Sequence, residues 1–150
     1  MIYEPHCLRP GPGIAELMLK EVRPQATRFG FLVNATNPNN LRVRMGALFA
    51  ARELGIKLAI IEVKDQSELA DAFGRMGPLG VEALAINPDP VLRTNANAAT
   101  IANLARSHKL PTVGEGPYFV DAGGLFELSD DYLAMARCSA WYVDQILLRR

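Results

Sequence analysis

The chain has 150 residues, 49% hydrophobic and 21% charged, the size and composition of one folded domain able to bury a core without disulfides or metals. Sixteen basic residues balance sixteen acidic ones, so no overall field draws nucleic acid or an anionic membrane, and neither is expected as a partner. Cys7 and Cys138 have no CxxC spacing and no nearby His cluster, which argues against a zinc or redox motif and leaves two thiols expected to be unpaired.

No apolar run approaches the roughly 20 residues of a membrane-spanning helix, so no membrane insertion is expected. The start, Met1-Ile2-Tyr3-Glu4-Pro5, runs into a Pro/Gly stretch rather than the apolar segment of a secretory signal. Pro10, Gly11, Pro12 and Gly13 break helix and strand patterns alike, and residues 1–13 are read as a flexible lead-in to a single α/β ligand-binding unit over 14–150.

Ile14, Leu17, Met18 and Val22 recur at helical spacing before Pro24 ends the pattern. Phe29 to Val33 is a short apolar run, the mark of a strand buried on both faces, and the turn formers Asn34 to Asn40 close it. Leu41, Met45, Leu48, Phe49 and Leu54 mark a helix stopped by Gly55. The cycle repeats with a strand at Leu58 to Ile61, a helix from Ser67 to Met76 with Ser67 as its N-cap, and an end at Gly77-Pro78. A third strand follows over Val81 to Ile86, then the loop Asn87-Pro88-Asp89-Pro90 and a helix over Val91 to His108. Leu110 to Val113 is a fourth strand, Gly114 to Gly124 an irregular loop, Leu125 to Leu128 a fifth strand, and Asp130 to Leu148 the last helix. Strict alternation with short connections predicts a three-layer, doubly wound parallel sheet of five strands in the order 2-1-3-4-5.

In such a sheet ligands sit outside the carboxyl ends of the strands. Four loops lie there. Asn34 to Asn40 offers amides and a hydroxyl at a helix start, with Asn34 and Asn37 as candidates, although Asn also serves plain turns and caps. Asp89, held between two prolines, could receive an ammonium or hydroxyl, or simply cap the next helix. Glu115 with Tyr118 and Phe119 sets a carboxylate beside two rings, a combination suited to a small organic ligand. Gly123-Gly124 allows a close backbone approach to a ligand, or a tight turn.

No GxGxxG follows the first strand, and no GxxxxGK[ST] or GxSxG occurs, so dinucleotide, P-loop and hydrolase readings have no support. His108 at a helix end reads as a cap that complements the helix dipole rather than a catalytic base, and Trp141 and Tyr142 as packing. No enzyme activity, cofactor or metal is expected.

The segments Arg28 to Asn34 with Asn37-Pro38-Asn39, Ala50 to Ile56, Ala83 to Pro90, Leu110-Pro111 and Phe119 to Leu125 together resemble the ABC-transporter substrate-binding proteins that include aromatic amino-acid binders. That resemblance implies one lobe, the second, of a type I periplasmic-binding fold. It also implies a small-molecule ligand such as an amino acid, held at Asn34, Asn37, Asp89, Glu115 and Tyr118. An ABC permease or a second lobe would be its partner, outside the cytoplasm. The alternative is a self-associating sensory or regulatory module, a homodimer with no transport role.

Overall fold

The computed structural model describes residues 13–128 and 131–148. They fall in two compact units: residues 12–128 hold the whole sheet, and the last helix belongs to the second. The expected lead-in lies, apart from Gly13, outside the described residues.

The sheet is built outward from β1 (Arg28–Asn34), whose residues after Arg28 are all buried. Side chains alternate across a strand, so Phe29, Phe31 and Val33 enter one layer while Leu32 enters the other. β1 pairs in parallel with β2 (Lys57–Val63) on one side and β3 (Ala83–Ile86) on the other. β4 (Thr112–Gly114) and β5 (Phe126–Glu127) extend the sheet, all parallel, in the order β2-β1-β3-β4-β5. The fold is therefore the doubly wound α/β sheet that strand-helix alternation predicts.

One face carries α1 (Ile14–Val22) and α2 (Asn40–Glu53), with Leu19, Ala47 and Ala51 packed on Phe29, Phe31 and Ala83. The other carries α3 (Leu69–Met76) and α4 (Asn95–Ser107), whose Phe73, Met76, Ile101 and Ala105 bury Leu32, Leu84 and Ile86. α2 ends in a Schellman turn: Gly55 sits at φ 65° while its amide and that of Ile56 reach back to the carbonyls of Arg52 and Ala51. α4 ends the same way, but with Lys109 at φ 54° in the left-handed position and His108 as the C-cap.

Three local expectations change. Ser67 is not the cap: Asp65 accepts the Ser67 amide at 2.8 Å and starts a 3-10 turn over Gln66–Glu68 that leads into α3. α4 starts at Asn95 rather than Val91, because the Thr94 hydroxyl caps the Asn97 amide at 3.3 Å while the preceding residues serve the β3 loop. The stretch after β4 contains a helix, α5 (Pro117–Asp121), with proline in its first turn. Its Phe119 lies in the core, and the backbone of Gly124 approaches that ring so closely that a Cβ there would stand 2.2 Å from Cε1. The close approach allowed by Gly124 is thus to the protein's own ring.

In the second unit α6 (Tyr132–Leu148) begins where Asp131 accepts the Ala134 amide at 2.9 Å. Trp141 and Tyr142 meet edge to face at 5.0 Å. Cys138 is disulfide-bonded, which corrects the expectation of an unpaired thiol there; Cys7 lies outside the described residues.

Candidate functional site

Strand order reverses between β1 and β3: β1 continues to β2 on one side, β3 to β4 and β5 on the other. The loops leaving their carboxyl ends run to opposite faces, β1 to α2 and β3 to α4, and open a crevice between them.

Asn side chains bind the two loops together there. Asp89, 1% exposed, accepts the Asn34 Nδ2 at 3.1 Å on Oδ1 and the Asn37 Nδ2 at 2.6 Å on Oδ2. The Val91 amide adds a third bond to Oδ1 at 2.8 Å. Asn34 Oδ1 in turn accepts the Thr36 amide and hydroxyl at 3.0 and 2.8 Å, which folds the β1 loop over the strand end. Burial pushes the Asp89 carboxyl up, but the bonds from Asn37, Val91, Asn34 and Leu92 outweigh it and hold its pKa below the ordinary value. The carboxylate is thus ionised and most of its acceptor positions are taken by this chain.

A second buried pair sits beside it. Asn40, the first residue of α2, donates from Nδ2 to the Asn34 carbonyl and accepts the Asn87 Nδ2 on Oδ1 at 3.3 Å. Asn87 follows β3, and its amide bonds the Leu32 carbonyl at 2.9 Å. Asn87 Oδ1 is buried with no hydrogen-bond partner among the described residues. It borders a cavity of about 10 Å³, room for one water, lined also by Arg93, Gly114, Glu115 and Phe119. Arg93 and Glu115 face each other at that rim, 3.5 Å apart, in an ion pair whose carboxylate is the more buried member.

The five residues singled out from the sequence fall into two groups and an outlier. Asn34, Asn37 and Asp89 form one hydrogen-bonded cluster. Glu115 lies with Asn87 on the cavity lining. Tyr118 stands on α5, 54% exposed, and no bond joins it to the cluster. Asn40, Asn87 and Arg93 were not singled out from the sequence. The signal for Asn87 is its place directly after the central strand, whereas Arg93 becomes visible only once α4 is seen to start after Thr94. Chemically, an acceptor oxygen with no partner, a carboxylate and a guanidinium at one strand-end rim suit a small ligand that carries both an amine and an acid. Among the described residues no group of His, Cys, Asp and Glu could hold a metal ion, and no helix is long and apolar enough to cross a membrane.

Several solved proteins share this architecture. One is an ABC domain in complex with L-Trp from Streptococcus pneumoniae, with a TM-score of 0.72 at 20% identity over 88% of this chain and 46% of that one. A conserved domain protein from Vibrio cholerae gives 0.71 at 20% identity, over 90% and 45% of the two chains. A ligand-free, open substrate binding protein with adhesive properties from Clostridium difficile gives 0.56 at 16% identity, over 64% and 32%. The chain therefore has the fold of part of these proteins and spans less than half the length of each. No protein-family model and no curated protein matches it. The shared fold is that of part of the L-Trp-bound ABC domain and of the substrate binding protein.

Proposed function

We propose that this chain supplies one wall of a solute-binding site of the ABC-importer type, with an amino acid or similar zwitterion as its ligand and a permease or second lobe as its partner. The observation that carries this reading is the unpartnered Asn87 Oδ1, buried at the switch point and bordered by Glu115 and Arg93. Glu115 receives the ligand ammonium and Arg93 its carboxylate, while Asn87 Oδ1 reaches the ammonium through the one water its cavity has room for. Asn34, Asn37 and Asp89 hold the loops that present these groups. The reading is one of binding rather than catalysis, since among the described residues no nucleophile and base are paired in the crevice.

One wall gives about half the contacts of a closed cleft, so binding by the isolated chain is weak. Amide chemical shifts of Asn87, Arg93 and Glu115 should move on titration with L-amino acids at millimolar concentration, and less with the matching amines lacking the carboxylate. Unmoved shifts up to about 20 mM would remove the proposal, and a Kd tighter than about 1 µM would contradict the half-cleft argument.

A further inference from the structure

Of the large apolar residues that mark α2 in the sequence, Leu54 packs against the core and the other four do not face the sheet. Leu41, Met45, Leu48 and Phe49 are 71, 60, 41 and 68% exposed, while the small residues Ala47 and Ala51 do the packing. Spaced at i, i+4, i+7 and i+8, the four form one stripe on the outer side of the helix. Isolated exposed apolar residues are ordinary, but a continuous stripe of four marks a surface to be covered.

We propose that a second copy of this chain covers it, with two α2 helices packed antiparallel about a two-fold axis. The charges that flank the stripe select this occupant and this direction. Arg42 and Glu53 are both exposed, and neither has an ion-pair partner among the described residues. At 3.6 residues per turn they lie within about 20° of each other, on the same flank of the stripe and at its opposite ends. In an antiparallel pair like flanks meet, so a two-fold axis midway between residues 47 and 48 sets each Arg42 level with the partner's Glu53, twice over.

The same axis also aligns the apolar residues, which is an independent requirement. It brings the partner's Phe49 level with Gly46, about 1.5 Å along the axis from Met45, and the partner's Leu48 equally close to Leu48. Arg52, on the line of the stripe, falls between the levels of the partner's Leu41 and the partner's Met45, where its methylenes cover apolar surface and its guanidinium reaches the rim. Arg44 lies on the other flank, bound to Glu62 of the edge strand, and takes no part. A parallel pair would instead bring unlike flanks together and set Arg42 beside the partner's Arg44, about 3 Å apart in level, with Glu53 about 16 Å away.

One helix face is a small interface, so the dimer is weak and dependent on concentration. Sedimentation equilibrium of the whole chain from about 10 µM to about 1 mM should show a monomer-dimer equilibrium. The variant Met45→Ser/Phe49→Ser, at exposed positions, should weaken it by at least about tenfold with the urea midpoint unchanged. Arg42→Glu and Glu53→Arg should each weaken it about threefold or more, and the double exchange should restore it. A monomer at every concentration overturns the proposal. So does a dimer indifferent to Met45→Ser/Phe49→Ser, which would run through another surface such as α6, or singles that the double exchange fails to rescue. The assay contains no ligand, so failure here leaves the solute-binding reading untouched.

Discussion

Asn34 and Asp89, fifty-five residues apart, are joined by a 3.1 Å hydrogen bond that ties the end of β1 to the loop after β3. The bond matters because the strand order reverses at this place, so the two loops diverge beyond the last ladder bond, from the Asn87 amide to the Leu32 carbonyl. Replacing Asp89 by Asn turns one of its two acceptor oxygens into an amide donor, which then faces the Asn34 or the Asn37 amide. Asp89→Asn is expected to destabilise the chain by about 2–3 kcal/mol, read from urea unfolding. The sign with pH follows from the lowered pKa. Stability from this carboxylate is present above its ordinary value of 3.8 and is lost as pH falls through the depressed folded value. Asp89→Asn should lack that acid-dependent component; a variant with the same acid limb as the parent would assign the effect to another group.

Glu16 behaves oppositely. It lies in the first turn of α1, only 2% exposed, and burial raises its pKa above 4.5 against a smaller opposing backbone hydrogen bond. A carboxyl with a raised folded pKa favours the native state most at low pH, and that contribution falls as pH rises through the folded value. Glu16→Gln should therefore raise the urea midpoint at pH 7, with the gain shrinking to nothing in acid below about pH 4. A midpoint lowered at neutral pH would contradict the assignment.

Lys109 holds a left-handed backbone at the end of α4 where Gly55 does the same for α2. A side chain in that region is strained, and glycine is not. Lys109→Gly is expected to stabilise by about 0.5–1 kcal/mol after allowing for the added freedom of the unfolded chain. Thermal unfolding at matched conditions checks it.

Gly124 and Phe119 form a contact with no room for a methyl group. Gly124→Ala should destabilise by about 1–3 kcal/mol, through displacement of a core ring rather than loss of a bond. Gly124→Ala/Phe119→Leu should recover part of that loss, and a double variant no better than the sum of its singles would refute the clash.

The fold was legible because β1 and β3 are nearly uninterrupted apolar runs bounded by turn formers, and their lengths leave little choice between strand and helix. α5 was not, since its five residues carry too few periods to register and Gly116-Pro117 reads equally as a turn and as a helix entry. For α2 the period was visible but not the direction, because large apolar residues mark a buried face in most helices and Ala47 and Ala51 leave no comparable trace. In the candidate site, Asn34, Asn37 and Asp89 were legible as polar residues at strand ends. Their mutual bonds were not, because contacts across fifty residues depend on which strands become neighbours. The orphaned oxygen of Asn87 is a fact of packing and has no sequence signature.

The sheet ends in seven-residue β2 on one side and two-residue β5 on the other. Edges of such unequal length are unequal hazards, for an incoming extended chain finds seven residues of template along β2 and almost none along β5. Lys57 and Glu62, both exposed on β2, put charge near the two ends of the longer edge, and Arg44 fixes the second of them in place. A strand adding along β2 must therefore pass these charges, which sets three side chains outside the crevice as the guard of the longer edge.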